Sequence, residues 1–218
     1  MMQEKVHQII DLAWESFKFK VASGVFNPEN EKMMQLQLAL TMQSLAPVFE
    51  YSFDEKIKIL LEVPVLINHA NPKRVIDIVI CFNQKDQIKH FPVELKCYRE
   101  FTRDGSGKTR GAQNIGMYDY WTDIENIEHY SALQNYGFGT HLCLTDDDYY
   151  VDTEHKGKQV SVYSTCKNRR NISGILTHPI ATRLGSIQLK GAYSMSHWET
   201  IEGFHFIRQE YQHNQITP

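Results

Sequence analysis

The sequence predicts an α/β fold in which a central mixed β-sheet is flanked by helices. Three observations lead there. Near the N-terminus, Val6, Ile9, Ile10, Ala13 and Phe17 recur at three- and four-residue steps, the period of a helix with one apolar face, over about residues 3–19. Between residues 57 and 96 come three short apolar runs separated by polar turn residues, which read as consecutive strands. A second helical pattern, 112–130, is then followed by further strand-like runs, so helices and strands alternate along the chain.

Taken in order, Asn27-Pro28-Glu29-Asn30 breaks the first helix and caps a second, about 30–45, whose Met33, Leu36, Ala39, Leu40 and Met42 are expected to pack in the core. Ile57 to Ile67 reads as a strand, with Pro64 marking an edge or a bulge. Arg74 to Ile80 and Phe91 to Lys96 are the next two strands, around the turn Asn83-Gln84-Lys85-Asp86-Gln87. Arg99 to Arg110 is a polar, glycine-containing loop. The helix after it carries Ile115, Tyr118, Trp121 and Ile124. Thr140–Leu144 and Tyr149–Val151 are expected as strands around a hairpin tip at Asp146-Asp147-Asp148, and Gln159–Tyr163 as another. The pattern from residue 164 is less regular until Phe204-His205-Phe206-Ile207, a late strand. No repeat or low-complexity linker divides the 218 residues, which suit a single domain.

Composition narrows the function classes. An apolar share of 42% with 22% charged residues is that of an ordinary globular protein. No apolar run is long enough to cross a bilayer, and the first residues lack a signal-peptide core. Cys81, Cys97, Cys143 and Cys166 are widely spaced without a C-x-x-C pair, which points to a reducing cytoplasm and away from a structural zinc site. A net charge of −3 requires any nucleic-acid surface to be local. H-E-x-x-H and G-x-S-x-G are both missing, so neither a zinc hydrolase nor a serine nucleophile is indicated.

The chemistry lies in charges planted inside apolar runs. Arg74-Val75-Ile76-Asp77-Ile78-Val79-Ile80 holds an aspartate, and Phe91-Pro92-Val93-Glu94-Leu95-Lys96 a glutamate and a lysine. Burying an unpaired carboxylate costs several kcal/mol, so such a strand needs a salt partner or a metal ion. A hairpin centred on Lys85 and Asp86 sets Asp77 opposite Glu94, and strand alternation puts Glu94 and Lys96 on one face. Two carboxylates, a backbone carbonyl such as that of Leu95, and waters are what Mg²⁺ accepts. A neighbouring lysine orients an attacking water or stabilises developing negative charge. The simplest alternative is an Asp77–Lys96 cross-strand ion pair with Glu94 on an edge.

Asp77, a spacer of sixteen residues and Glu94-Leu95-Lys96 together resemble the PD-(D/E)XK nuclease superfamily, to which many restriction endonucleases belong. Ile76 stands where the family's name has proline. The acid-x-lysine element also occurs at Asp54-Glu55-Lys56 and Glu154-His155-Lys156, in polar segments read as solvated turns; only the second of the three follows an acidic strand at hairpin distance. Residues 29–130 fit the family's order of helix, strands, motif and helix. The resemblance implies a restriction endonuclease-like fold and Mg²⁺-dependent hydrolysis of phosphodiester bonds, with Mn²⁺ as a substitute. It makes Asp77, Glu94 and Lys96 catalytic, with Asp77, Glu94 and Leu95 around the metal and Glu31 and Glu62 as further ligands. DNA is the implied substrate, with RNA left open, and a homodimer is one form such enzymes take. Residues 140–218 are left for recognition or dimerisation.

Arg99, Arg103, Lys108 and Arg110 in the loop after the motif, and Gln113 at the start of the next helix, are the candidate substrate contacts. Lys167, Arg169 and Arg170 form a second basic cluster, read by default as a solvated turn. Two other readings stand beside the nuclease. One is an inactive member of the same fold that binds nucleic acid or protein. The other is a nucleotide-binding protein, suggested by Gly107-Lys108-Thr109, although Thr102 occupies the place of the first glycine in a phosphate-binding loop.

Overall fold

A computed structural model describes residues 2–66, 74–85, 87–100, 113–152, 154, 159–177 and 185–213. Helix α1, Met2–Ala22, buries the residues its period picks out, Val6, Ile9, Ile10, Ala13 and Phe17, together with Trp14 and Val21. Helix α2, Glu31–Leu45, starts where expected: the Asn30 side chain accepts a hydrogen bond from the Met33 amide at 3.0 Å, satisfying one free N–H of the first turn. Its buried face differs from the predicted one. Met34, Leu38, Ala39 and Met42 point inward, while Leu36 and Leu40 are exposed. The helix is apolar on most sides, so its period does not select a face. Gln35, buried on the inward side, belongs to the site described below.

Three antiparallel strands follow: β1, Glu55–Val65; β2, Arg74–Gln84; and β3, Gln87–Tyr98. The turn between β2 and β3 is centred as the sequence predicts. Gln84 pairs with Gln87, and Lys85 takes the positive φ of 48° that a two-residue hairpin needs. Glu55 and Lys56 open β1 and do not form a solvated turn. Glu55 is buried against the Lys5 ammonium of α1 at 2.6 Å. Helix α3, Gln113–Ser131, crosses over to β4, Gly139–Thr145, which runs parallel to β3. Strand β8, Phe204–Tyr211, joins β4 antiparallel, and the short β7, Glu199–Ile201, completes the sheet in the order β1-β2-β3-β4-β8-β7. One parallel pair among antiparallel ones makes the sheet mixed.

Helices α1 and α2 cover one face, packing on Ile57, Ile78, Ile80, Val93, Leu95, Leu142 and Phe206. Helix α3 covers the other. Its outer side is covered in turn by a separate hairpin, β5, Ile172–Leu176, with β6, Ile187–Tyr193. Three of the six sheet strands therefore lie after residue 130, and the hydrophobic core extends beyond 29–130. Residues 149–151 form a turn after β4, and Gln159–Tyr163 a 3-10 helix, where strands were expected. Among the described residues, no helix is long and apolar enough to cross a membrane. None of the four cysteines is in a disulfide.

At the start of β4 the sheet comes very close to α3. A Cβ on Gly139 would lie 2.8 Å from Ile127 Cβ and 3.0 Å from the Ile127 carbonyl oxygen. Since backbone cannot yield cheaply, Gly139→Ala is expected to destabilise the fold by about 2 kcal/mol, measured as a lowered urea midpoint.

Candidate active site at a fork between two strands

The β2–β3 ladder ends at the pair Ile78–Val93. One residue further, the register sets Asp77 opposite Glu94, and beyond that point the strands part. β2 continues against β1 alone, while β3 continues against β4. Asp77 fills the fork: its Oδ2 accepts the Leu95 amide hydrogen at 2.9 Å. Strand alternation also breaks here. Ile78 lies in the core under α1 and α2, but Ile76 lies with Val65, Val79 and Tyr130 in a third cluster. Glu62, which the β1–β2 register places across from Asp77, is forced to a φ of 52°, in the left-handed region disfavoured for a residue with a Cβ.

Glu94 and Lys96 share a face, as alternation predicts. Both are within reach of α3, but Lys96 does not pair with Asp77 as the simplest alternative supposed. Its Nζ lies 2.6 Å from Asp123 Oδ2 on α3 and 3.3 Å from Glu31 Oε2 at the start of α2. Glu94 is 4% exposed, and its Oε1 is buried without a hydrogen-bond partner among the described residues. Among the described residues, the site is thus four carboxylates, Asp77, Glu94, Asp123 and Glu31, around one ammonium.

That excess of negative charge shapes the titrations. Burial, then the charges of Asp123 and Asp77, push Glu94 well above the ordinary carboxylate range. Asp123 is pushed up to about 7, by burial first; the nearby Lys96 pulls the other way, and Asp77 and Glu31 add to the rise. Burial also raises Glu31, with Lys96 opposing and Asp77 reinforcing it. Burial opposes the Lys96 charge, but Asp123, Glu31 and Asp77 outweigh it and raise its pKa, so Lys96 is an ammonium at neutral pH. His141, fully buried beside them, is held neutral, chiefly by burial and secondarily by Lys96. Glu94 and Asp123 bind protons in the folded chain that the unfolded chain has already released. The part of the stability that these two carboxyls contribute without divalent cations is therefore expected to fall as pH rises from about 4 through about 7, while His141, held neutral, contributes the opposite slope below the ordinary histidine range. Urea midpoints at pH 5 and pH 7.5 test this. Glu94→Gln removes the Glu94 part, so its midpoint relative to wild type should rise from pH 5 to pH 7.5; a difference between variant and wild type that stays the same at both pH values would contradict the assignment.

The remaining candidates are distributed as follows. Glu31 reaches the site through Lys96. Glu62 turns toward α2, paired with Lys32 and accepting from Gln35 Nε2 at 2.7 Å; Gln35 Nε2 also donates to the Asp77 carbonyl at 2.7 Å. The backbone of Asp77 is thus tied to α2 while its carboxylate faces the fork. Arg99 is held by Asp146 (Nε–Oδ2 2.8 Å) and Asn27 (Nη1–Oδ1 2.8 Å), and Gln113 donates to Asp147 at 2.7 Å. Asp146 and Asp147 therefore anchor both ends of the loop after the motif and are not a hairpin tip. Arg103, Lys108 and Arg110, like Gly107 and Thr109, lie outside the described residues. In the second basic cluster Arg169 donates to the Val162 and Ser164 carbonyls at 2.9 and 2.7 Å, and Lys167 pairs with Asp152, so these side chains bind the turn itself.

Asp123, His141 and Gln35 were not singled out in the sequence, although two of them carry the signal that identified Asp77. His141 sits in the apolar run Gly139–Thr145, and Asp123 falls on the same helical face as Tyr120, Ile127 and Tyr130. The register then sets Glu94 beside His141.

Among the described residues, no group of three or more His, Cys, Asp or Glu side chains is gathered to hold a metal ion. A cation here would take two carboxylates, from Asp77 and Glu94, and draw its other ligands from carbonyl oxygen and water. This is the low protein-ligand count that Mg²⁺ tolerates and zinc sites do not. The unpartnered Glu94 Oε1 and the mutual repulsion of the carboxylates fit such an ion. Comparison of the chain with protein-family models, curated proteins and solved structures finds no match.

Proposed function

We propose that the chain is a Mg²⁺-dependent phosphodiesterase that hydrolyses DNA on a restriction endonuclease-like fold. The observation that carries this reading is the meeting of Asp77 and Glu94 at the strand fork, with Lys96 two residues on and Glu94 Oε1 buried without a hydrogen-bond partner among the described residues. The mixed sheet, with α2 on one face and α3 crossing between parallel strands on the other, agrees with the architecture the resemblance implies.

Asp77 and Glu94 would hold the ion, with the Leu95 carbonyl and water completing its shell. When bound, Mg²⁺ supplies positive charge to the phosphoryl oxygens and a more acidic water. The chain's own residues do the rest. The Leu95 amide fixes one oxygen of Asp77. Gln35 holds the Asp77 backbone, limiting its motion at the fork. Lys96, kept charged by its carboxylate neighbours, orients the attacking water by donating to it and stabilises the charge that grows on phosphate oxygen. As an ammonium it does not serve as the base. Arg99, engaged by Asp146 and Asn27, is not a ready phosphate contact.

The test is cleavage of circular and linear DNA by the purified protein with Mg²⁺, and with EDTA in its place. The reading expects products with Mg²⁺ alone. No cleavage under either condition would overturn it in favour of an inactive binding module.

A further inference from the structure

Lys96 stands between two kinds of negative charge. Behind it on the same strand face is the Glu94–Asp77 pair; across from it are Asp123 on α3 and Glu31 on α2. Left to itself, a flexible lysine would turn onto the nearest buried carboxylate and fill the space a cation needs. The structure holds it elsewhere. Its Nζ makes a 2.6 Å ion-pair contact with Asp123 Oδ2 and donates a longer hydrogen bond to Glu31 Oε2 at 3.3 Å. Asp123 is itself fixed. It projects from the middle of α3, a helix packed between the main sheet and the β5–β6 hairpin, with Tyr120, Trp121, Ile124 and Ile127 fully buried around it. His141 Nε2 lies 3.9 Å from the same Asp123 Oδ2, too far for a hydrogen bond, and neither ring nitrogen of His141 has a partner among the described residues. Lys96 is thus the cation that Asp123 engages, and Asp123 is the closer of the lysine's two carboxylate partners.

From this juxtaposition we propose that Asp123 is the positioning residue of the active-site lysine. From α3 it draws the Lys96 ammonium off the Glu94–Asp77 pair, keeping the cation site open and the ammonium in one place beside it. The inference rests on the nuclease reading and adds a fourth functional side chain, outside the strand motif. Asp123 acts through Lys96. It does not ligate the metal.

Two measurements on Asp123→Asn test the role. In DNA cleavage with saturating Mg²⁺, the variant is expected to lose about tenfold or more in kcat, with KM within about twofold, because an ill-placed group costs rate and not substrate binding. Asp123→Glu, which keeps the charge, should recover part of the loss and serves as the second variant if the asparagine form does not fold. In metal-free protein, NMR of lysine ammonium groups should show a sharp Lys96 signal, identified by its loss in Lys96→Arg. The signal should broaden away in Asp123→Asn while the backbone spectrum elsewhere stays unchanged. An active wild type whose Asp123→Asn variant keeps full kcat refutes the positioning role alone, as does a Lys96 signal indifferent to the substitution. If the variant reaches the wild-type rate but needs a higher Mg²⁺ concentration for half of it, Asp123 is a metal ligand and the proposal fails. A wild type without activity refutes the nuclease reading, and the NMR measurement then decides whether Asp123 still holds Lys96.

Discussion

Replacing Asp77 by alanine is expected to abolish DNA cleavage, by roughly three orders of magnitude or more, and Lys96→Ala to do the same, with both proteins folded. The reasons differ. Asp77 provides one of the two carboxylates at the fork, and Glu94 alone cannot hold Mg²⁺ among waters with useful affinity. The structural cost is small, since among the described residues the Asp77 side chain accepts one hydrogen bond, from the Leu95 amide, worth about 1 kcal/mol net. Lys96→Ala leaves the metal ligands intact and removes the ammonium beside the reacting phosphate. Burial already disposes Asp123 and Glu31 toward their protonated forms, so the loss of their partner is met by proton uptake and not by unfolding. Rates measured with matched circular-dichroism spectra check both. Retained cleavage in either folded variant contradicts the assigned roles.

Glu128→Ala is expected to be the most damaging single change to the fold among the buried acids. This glutamate of α3 is fully buried, and its carboxylate accepts three hydrogen bonds from β6: the Lys190 amide at 2.7 Å, the Gly191 amide at 2.8 Å and the Tyr193 hydroxyl at 2.7 Å. It is the polar clamp between α3 and the β5–β6 hairpin. Truncation strands three donors where water does not reach, at about 1–3 kcal/mol for each that stays unsatisfied, or about 3 kcal/mol or more in sum after relaxation. The melting temperature should fall by roughly 6–12 °C. Protease cleavage between residues 170 and 195 should appear before global unfolding, because the hairpin loses its tether first. Equal melting temperatures for wild type and variant would show that the apolar contacts and the hydrogen bond from the Gln188 amide to Glu125 hold the hairpin without Glu128.

The parts of the fold that were legible in the sequence are those with a single strong period or a turn with defined chemistry. α1 has one apolar stripe; β2 and β3 are apolar runs joined by a two-residue turn; β4 is short and wholly buried. The hairpin register was enough to set Asp77 opposite Glu94, and alternation enough to put Lys96 with Glu94. What alternation could not give was the break at Asp77. Regular strands would place its side chain by parity alone, whereas the parting of β2 and β3 and the left-handed Glu62 set it in the plane of the fork, against the Leu95 amide. The inward face of α2 was misread because Met33, Met34, Leu36, Leu38 and Leu40 leave no polar stripe to contrast with. Strand β5 was missed for a different reason: Gly174, at a φ of 76°, interrupts it, and its register with β6 shifts there. Asp123 and His141 each set a polar group among apolar residues, as Asp77 does, but no spacing in the sequence joins them to Lys96. Their role exists only once the α3 crossover brings a helix over the parallel β3–β4 pair, a contact between residues far apart in the chain.

The claim on which the mechanism rests is that Asp77 and Glu94 together bind a divalent cation, and it is tested most directly by anomalous diffraction from crystals grown with Mn²⁺. The account predicts an anomalous peak in the fork, roughly 2–2.3 Å from an oxygen of Asp77 and one of Glu94, with the Lys96 ammonium still beside Asp123. A fork without a peak, with the ammonium of Lys96 turned into it against Glu94, would contradict it.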